Sequence, residues 1–332
     1  MYMESISITN FKCFGTSTDR VHFCVPDGKT RGSGLNTLVG ENNSGKSTLF
    51  EAVQFFREGP PRGKSPDDLK NKWANPDDPI DVDVVFGGPI ESTITDFAQK
   101  NKQEVLTNYI YGGNGKRNLR ISRSSVDHKE LRLWNEVDQS FKNETGIAAP
   151  IQRLFEFNFV WADTNPQDET KFGSTTICGK LLSEIARTFA DTQEFRDFQH
   201  TFSETFNSEG SGLRVRLKEI EQRTQEVFES QFGKARITFH FDELKTDGFF
   251  KNVHIKVDDG LDLYLDEKGT GMQRSVALAL IQVYAENLAK HPTADTTKPF
   301  FLFIDEPETC LHPQGQLHLL KALMEISKTQ QI

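Results

Sequence analysis

The residues Gly40-Glu41-Asn42-Asn43-Ser44-Gly45-Lys46-Ser47 fit the pattern G-x-x-x-x-G-K-[ST], and the chemistry of that pattern is phosphate binding. Glycines let backbone N–H groups turn inward around an anion, and a helix opening at the second glycine points its positive end at the same charge. Lys46 adds a compact cation near the β and γ oxygens, Ser47 offers a hydroxyl to Mg²⁺, and Thr48 follows in the first helical turn. A polar turn without a ligand matches the pattern only by chance. Here the apolar run Leu35–Val39 before it predicts a strand, and Leu49, Val53 and Phe56 after it recur at helical spacing, which is the context the chemistry needs.

A second group lies far downstream. Phe300-Phe301-Leu302-Phe303-Ile304 is unbroken in its apolarity, as in a parallel strand buried on both faces, and Asp305-Glu306 follow at its carboxyl end. Ligands bind at that edge of such sheets. Asp305 is suited to hold Mg²⁺, mainly through water, and Glu306 to orient the attacking water or accept its proton.

The elements that position these groups follow from periodicity. Ser5–Phe11 alternates as a strand, and Gly59-Pro60-Pro61 stops the helix after the phosphate loop. Residues 57–79 hold five prolines among many charges and read as a surface linker. The β-rich part, 80–165, alternates at Ile80–Val84, Glu104–Tyr111, Asn118–Arg123 and Phe155–Trp161, with a turn at Gly112–Gly115, as in an antiparallel meander. Helical spacing then runs through an insert within 170–233, whose last helix is about five turns long, too short for a rod-forming chromosome-condensing ATPase. The Phe195–Phe206 stripe reads as the insert's own core rather than a dimer face. In the last part, 234–332, strands are expected at Ile237–Phe241, Val253–Val257 and Leu261–Leu265, then a helix over Gln273–Leu288.

The 332 residues carry 48 acidic and 39 basic side chains, a formal charge of −9, so any nucleic-acid contact must be local. No apolar stretch approaches the roughly 18 residues of a spanning helix, and Glu4, Thr9 and Asn10 oppose a signal peptide, so a cytoplasmic protein without membrane attachment is expected. Cys13, Cys24, Cys178 and Cys310 have neither zinc nor disulfide spacing and read as free thiols.

Together with the phosphate loop, Asn10-Phe11-Lys12-Cys13-Phe14 and Asp305-Glu306-Pro307-Glu308 with Leu311-His312-Pro313 resemble ABC-type ATPases of the SMC/RecF/OLD class. The OLD (overcoming-lysogenization-defect) branch is the most similar, because its heads carry a signature resembling Lys268-Gly269-Thr270-Gly271-Met272-Gln273-Arg274. Thr270, Gly271 and Gln273 match the wider Ser-Gly-Gly-Gln pattern, and Met272 departs from it. The resemblance implies an α/β fold, an ABC-type P-loop ATPase head with a mixed sheet, an antiparallel β-subdomain and a helical insert, in one head over 1–332. It also implies that ATP and Mg²⁺ are sandwiched in a homodimer or higher oligomer, with Thr270 and Gly271 of one chain on the γ-phosphate held by the other chain's Lys46. The start of the helix after Thr270 is chemically suited to that, as an anion site, although a simple loop before a helix is the alternative.

Family heads also place a Mg²⁺-sensing glutamine at a strand end, for which Gln167 is the candidate beside a plain loop residue. Lys12 stands where a basic residue approaches the nucleotide in such heads, or is simply an exposed lysine. His312 reads as part of a turn rather than a metal ligand, with no second ligand at spacing. The family continues into a further strand, a switch histidine and, in OLD proteins, a Toprim nuclease domain. The chain reaches Ile332 where that strand would begin, so the resemblance implies a fragment, an interrupted gene or half of a split system. Asp81-Val82-Asp83 matches a Toprim Asp-x-Asp, but strand alternation explains it.

Lys116, Arg117, Arg120, Arg123, Lys129 and Arg132 with Trp134 leave two readings open, DNA contact or a solvated strand face. The expected function is thus an ATP-hydrolysing head that dimerises around ATP and regulates action on DNA in phage defence or repair, with a nuclease or helicase partner. The alternative is an ATP-binding assembly module with little turnover. A stand-alone kinase would leave Thr270–Arg274 without a role.

Overall fold

Alternation along the first strands decides how the main sheet is built. The computed structural model describes residues 1–16, 20–112, 116–161, 176, 179, 189–232, 236–239, 241, 253–288, 298–309, 311 and 313–332. It divides into two units, Met1–Thr164 with Ile281–Ile332, and Asn165–Leu280.

In the first unit, β1 (Tyr2–Thr9), β2 (Arg20–His22), β3 (Asp81–Gly87), β4 (Asn118–Ser124), β5 (Arg132–Asn135) and β6 (Ser140–Lys142) form an antiparallel sheet of order β2-β1-β3-β4-β5-β6. Register follows the apolar parity: Ile6 faces Val84, Ile8 faces Val82, and Val84 faces Ile121. Val82, Val84, Phe86, Leu119, Ile121 and Leu133 are buried in one core with helix α1 (Lys46–Glu58), which contributes Leu49, Ala52, Val53, Phe55 and Phe56. The strand period of 2 puts Arg123 on the side of Leu119 and Ile121, whereas Arg120 falls on the opposite face with Asp83.

Helices α2 (Ile90–Phe97) and α3 (Lys100–Asn108) cross from β3 to β4, and α4 (Ala148–Arg153) leads into β7 (Glu156–Val160). The expected strand over Glu104–Tyr111 is therefore wrong, since most of it lies in α3. Val105, Leu106, Tyr109 and Ile110 are the residues packed into the core, and that i, i+1, i+4, i+5 spacing is a helical stripe. Short apolar runs do not separate the two periods by themselves.

β7 pairs in parallel with β10 (Phe300–Ile304), as the continuous apolar run predicts. Several of the chain's 27 phenylalanines meet here: Phe157 stacks on Phe301 at 5.0 Å and Phe159 on Phe303 at 4.9 Å between ring centroids. Each such pair contributes about 0.5–1.5 kcal/mol beyond area burial. The strand expected over Leu35–Val39 does not form. Asn36 donates to Ile332 O at 2.7 Å and Ile332 to Gly34 O at 2.9 Å, but no rung follows, and Val39 is 89% exposed. A strand needs a ladder on at least one side. The last helix of this unit is α8 (Pro313–Ile326).

In the second unit, α5 (Gln193–Phe206) and α6 (Gly212–Phe232) occupy part of the expected helical insert. Phe195 is buried while Phe198 is exposed, and Phe202 stacks on Phe206. The described residues of Ile237–Phe241 form no strand. Their N–H groups go instead to side chains, Ile237 to Gln225, Phe239 to Glu221 and Phe241 to Asn207, which leaves no ladder to build. β8 (Lys256–Asp258) and β9 (Asp262–Tyr264) form the expected hairpin, shorter than the alternation suggested, and Gly260 takes φ +108° in its turn. Helix α7 (Thr270–Leu288) follows. Among the described residues, no helix is long and apolar enough to cross a membrane.

Candidate functional site

The phosphate loop opens α1 as its glycines require. Gly45 is the residue before the helix at φ 95°, ψ 10°, a left-handed conformation that an L side chain rarely adopts. A Cβ there would also stand 2.7 Å from Cys13 Sγ. No side chain caps the helix and its first turn contains no acidic residue, so the helix itself supplies nothing to compensate its positive end. Lys46 Nζ donates to the carbonyls of its own loop, Gly40 at 2.8 Å and Glu41 at 2.7 Å. Glu41, Asn42, Asn43 and Ser44 form the exposed arch, with Asn43 at φ 62°, and Thr48 is half-buried in the first turn.

Ser47 Oγ donates to Asp305 Oδ2 at 2.9 Å, joining two motifs 258 residues apart. Asp305 is fixed where β10 ends, its N–H bonded to Val160 O at 2.8 Å. Glu306 follows with φ 46°, and Thr309 Oγ1 donates to its carboxylate at 3.2 Å. Gly40, Lys46, Asp305 and Glu306 line a cavity of about 460 Å³ whose remaining walls include Leu38, Phe50, Phe303 and Leu320. A hydroxyl and a carboxylate converging beside an open helix N-terminus make an oxygen-donor pair of the kind hard divalent cations take.

A turn beside the loop braces it. Asn10–Phe14 touches Gly45 through Cys13 and α1 through a Lys12–Glu51 ion pair, so Lys12 is engaged within the protein. The far side of the turn pairs with the linker: Phe11 bridges Lys70, Lys12 N donates to Leu69 O, and Asn71 N donates to Asn10 O.

The other end of α1 depends on a residue whose role sequence reasoning missed. The carbonyls of Phe56 and Arg57 would ordinarily accept from the residues four positions on, but those are Pro60 and Pro61, which have no N–H. Arg123 supplies the donors. Its Nε bonds Phe56 O at 2.7 Å, its Nη2 bonds Arg57 O at 3.0 Å, and its Nη1 bonds His128 O. The side chain is buried, and burial lowers the guanidinium to about 10. The proline pair was the available signal.

Arg123 therefore does not belong to a surface that meets DNA. Of its neighbours, Arg120 is bonded to Asp83 and lies over the Trp134 ring at 4.3 Å, Arg132 pairs with Asp81, and Arg117 pairs with Glu91 at 3.3 Å. Lys116 and Lys129 are exposed. The carboxylates of Asp81 and Asp83 are held by these arginines, Asp83 also by Arg20, and among the described residues no group of His, Cys, Asp and Glu is arranged to hold a metal.

The signature residues lie in the second unit, at the start of α7. Thr270 is exposed and Gly271 half-buried, and the N–H groups of Met272 and Gln273 bond Gly269 O at 3.0 and 3.1 Å. Gln273, 3% exposed, turns its amide to Lys268 O at 2.8 Å and Asp266 O at 3.3 Å, so it holds the shape of its own loop. Lys268 in turn pairs with Asp259. Gln167, His312, Cys178 and Cys310 lie outside the described residues.

Known proteins share this arrangement of the chain. It is 26% identical over 345 residues to the Old nuclease of Escherichia phage P2; the match covers 98% of this chain and 54% of that protein, so the chain spans about half the length of this curated relative. The solved head of an SMC protein bound to the C-winged helix domain of ScpA superimposes with a TM-score of 0.54 at 16% identity, covering 100% of this chain and 88% of that one, which is a likeness of fold. The model of the AAA ATPase domain family matches residues 1–332, from the first strand through both halves of the site, and the chain belongs to that family.

Proposed function

We propose that the chain binds ATP with Mg²⁺ on Gly40–Ser47 and hydrolyses it in a composite site closed by a second copy, and that this cycle controls action on nucleic acid. The observation that carries the reading is the 2.9 Å contact of Ser47 Oγ with Asp305 Oδ2 beside the open N-terminus of α1. Ser47 and, mainly through water, Asp305 would hold the cation. Mg²⁺, when bound, neutralises the charge that develops on the β and γ oxygens.

Lys46 leaves the carbonyls of Gly40 and Glu41 for the phosphates, exchanging two neutral acceptors for a charged one. Glu306 orients the water that attacks the γ-phosphorus as the bond to the ADP oxygen breaks, and accepts its proton. Thr270 and Gly271, exposed and half-exposed at the start of α7, supply a hydroxyl and N–H groups to the γ-phosphate of the partner copy. The link to nucleic acid is carried from the relative named a nuclease, not from the hairpin arginines, all four of which have protein partners.

Equilibrium binding of a fluorescent ATP analogue, with phosphate release measured in parallel, tests the roles. Lys46→Ala should abolish binding, whereas Glu306→Gln should keep it and lower turnover on the order of 10²–10³-fold. Equal loss of binding in both variants would sink the assignment.

A further inference from the structure

A glutamate that orients a water must itself be held. The Glu306 side chain has three rotatable torsions and stands exposed past the end of β10, where a carboxylate samples many rotamers. A base acts only within about 2.6–3.2 Å of the proton it takes, so the chain has to place this carboxylate before using it.

The turn that follows does so. Glu306-Pro307-Glu308-Thr309 is closed by Thr309 N donating to Glu306 O at 3.1 Å, which returns Thr309 to the residue that opens the turn. There Thr309 Oγ1 donates to Glu306 Oε2 at 3.2 Å. Thr309 is half-buried and β-branched, so its hydroxyl has few directions to choose from. The turn is braced from α8, where the Gln316 amide donates to Glu308 O and Leu311 O, each at 3.2 Å. Glu306 itself takes φ 46°, a left-handed backbone that is costly for a glutamate and persists where the surroundings dictate it. The bond from Thr309 uses one of about four acceptor positions on the carboxylate, so the same group can still hold a water. Glu306 lines the cavity and Thr309 does not, so Thr309 can act on the reaction only through Glu306.

We propose that Thr309 is a positioning residue whose hydroxyl fixes the Glu306 carboxylate in the orientation that holds the attacking water, an inference that rests on the role given to Glu306 above. The backbone bond that closes the turn does not involve the Thr309 side chain. Deleting the hydroxyl therefore loosens the carboxylate and leaves the turn in place.

Steady-state phosphate release, equilibrium binding of a fluorescent ATP analogue and melting are measured for the parent, Thr309→Val, Thr309→Ala, Thr309→Ser, Glu306→Gln and the double variant Glu306→Gln with Thr309→Val. Thr309→Val and Thr309→Ala should lower kcat and kcat/KM together, about 10–100-fold, as a misplaced catalytic group does, with analogue binding and melting kept. Thr309→Ser, which keeps the hydroxyl, should recover most of the rate. In the Glu306→Gln background, loss of the hydroxyl should cost about twofold at most, because the group it positions is gone. Full kcat in both Thr309→Val and Thr309→Ala overturns the positioning role alone. The same holds for a loss in Thr309→Ser as large as in Thr309→Val, for binding or melting that falls in step with the rate, and for an undiminished further loss in the Glu306→Gln background. A parent without ATP turnover, or full turnover in Glu306→Gln, overturns the reading of Glu306 and this proposal with it.

Discussion

Replacing Arg123 by Met should destabilise the first unit by about 2–3 kcal/mol without altering any surface charge that DNA could meet. Met retains most of the apolar stem and deletes the guanidinium. Three bonds to carbonyls disappear, but Arg57 O keeps the amide of Gln152 at 2.8 Å. The carbonyls of Phe56 and His128 are left, at about 1–3 kcal/mol for each buried group that loses its partner. Against this stands the desolvation of the charge. Burial lowers the guanidinium to about 10, a cost on the order of 3 kcal/mol at 1.4 kcal/mol per tenfold, part of which is relieved when the charge is removed. The balance falls in the lower half of the range.

For a unit of this size that is a fall in melting temperature of about 5–10 °C, readable by calorimetry or circular dichroism. Arg117→Met is the control. Its pair with Glu91 is exposed on both sides, and such pairs contribute only about 0–1 kcal/mol. The cause is testable too: Pro60→Ala with Pro61→Ala restores the two missing N–H groups, and in that background Arg123→Met should cost at least about 1 kcal/mol less. Arg123→Met melting with the parent, or losing DNA affinity while keeping its stability, would refute the reasoning.

Two further outcomes are expected. Mixing Lys46→Ala chains with Gly271→Asp chains should restore ATPase activity that neither has alone, because each mixed dimer contains one intact composite site; mass measurement verifies the mixed species, and their presence without activity counts against sites shared between copies. Burial, then the hydrogen bond and charge of Glu144, push the Tyr109 hydroxyl up to about 12 from the usual 10. The folded chain therefore holds this proton more tightly than the unfolded one, so the stabilisation is complete below about pH 10 and lost as pH rises toward 12. Tyr109→Phe should remove the late-ionising phenol from an absorbance titration near 295 nm and flatten the loss of stability over that window.

The sequence by itself determined the short-range parts of the site. A helix carried by Leu49, Val53 and Phe56 and its end at Gly59-Pro60-Pro61 depend on sterics and spacing within a few residues, and both stand as read. The continuous apolarity of Phe300–Ile304 likewise forces a strand buried against a parallel neighbour. Only the tertiary structure decided what meets what. Glu104–Tyr111 and Leu35–Val39 have strand-like compositions, but one turns its apolar residues to the core as a helix and the other builds no ladder beyond the backbone bond of Asn36 to Ile332. Arg120 and Arg123 are indistinguishable in a list of basic residues. The register of β4 on β3 separates them, because strand parity sends one to Asp83 on the outer face and the other through the core to the carbonyls that two prolines leave without donors. Ser47 and Asp305 were each assigned to the cation from their own motifs, and the tertiary structure adds that they meet, at 2.9 Å across 258 residues of chain.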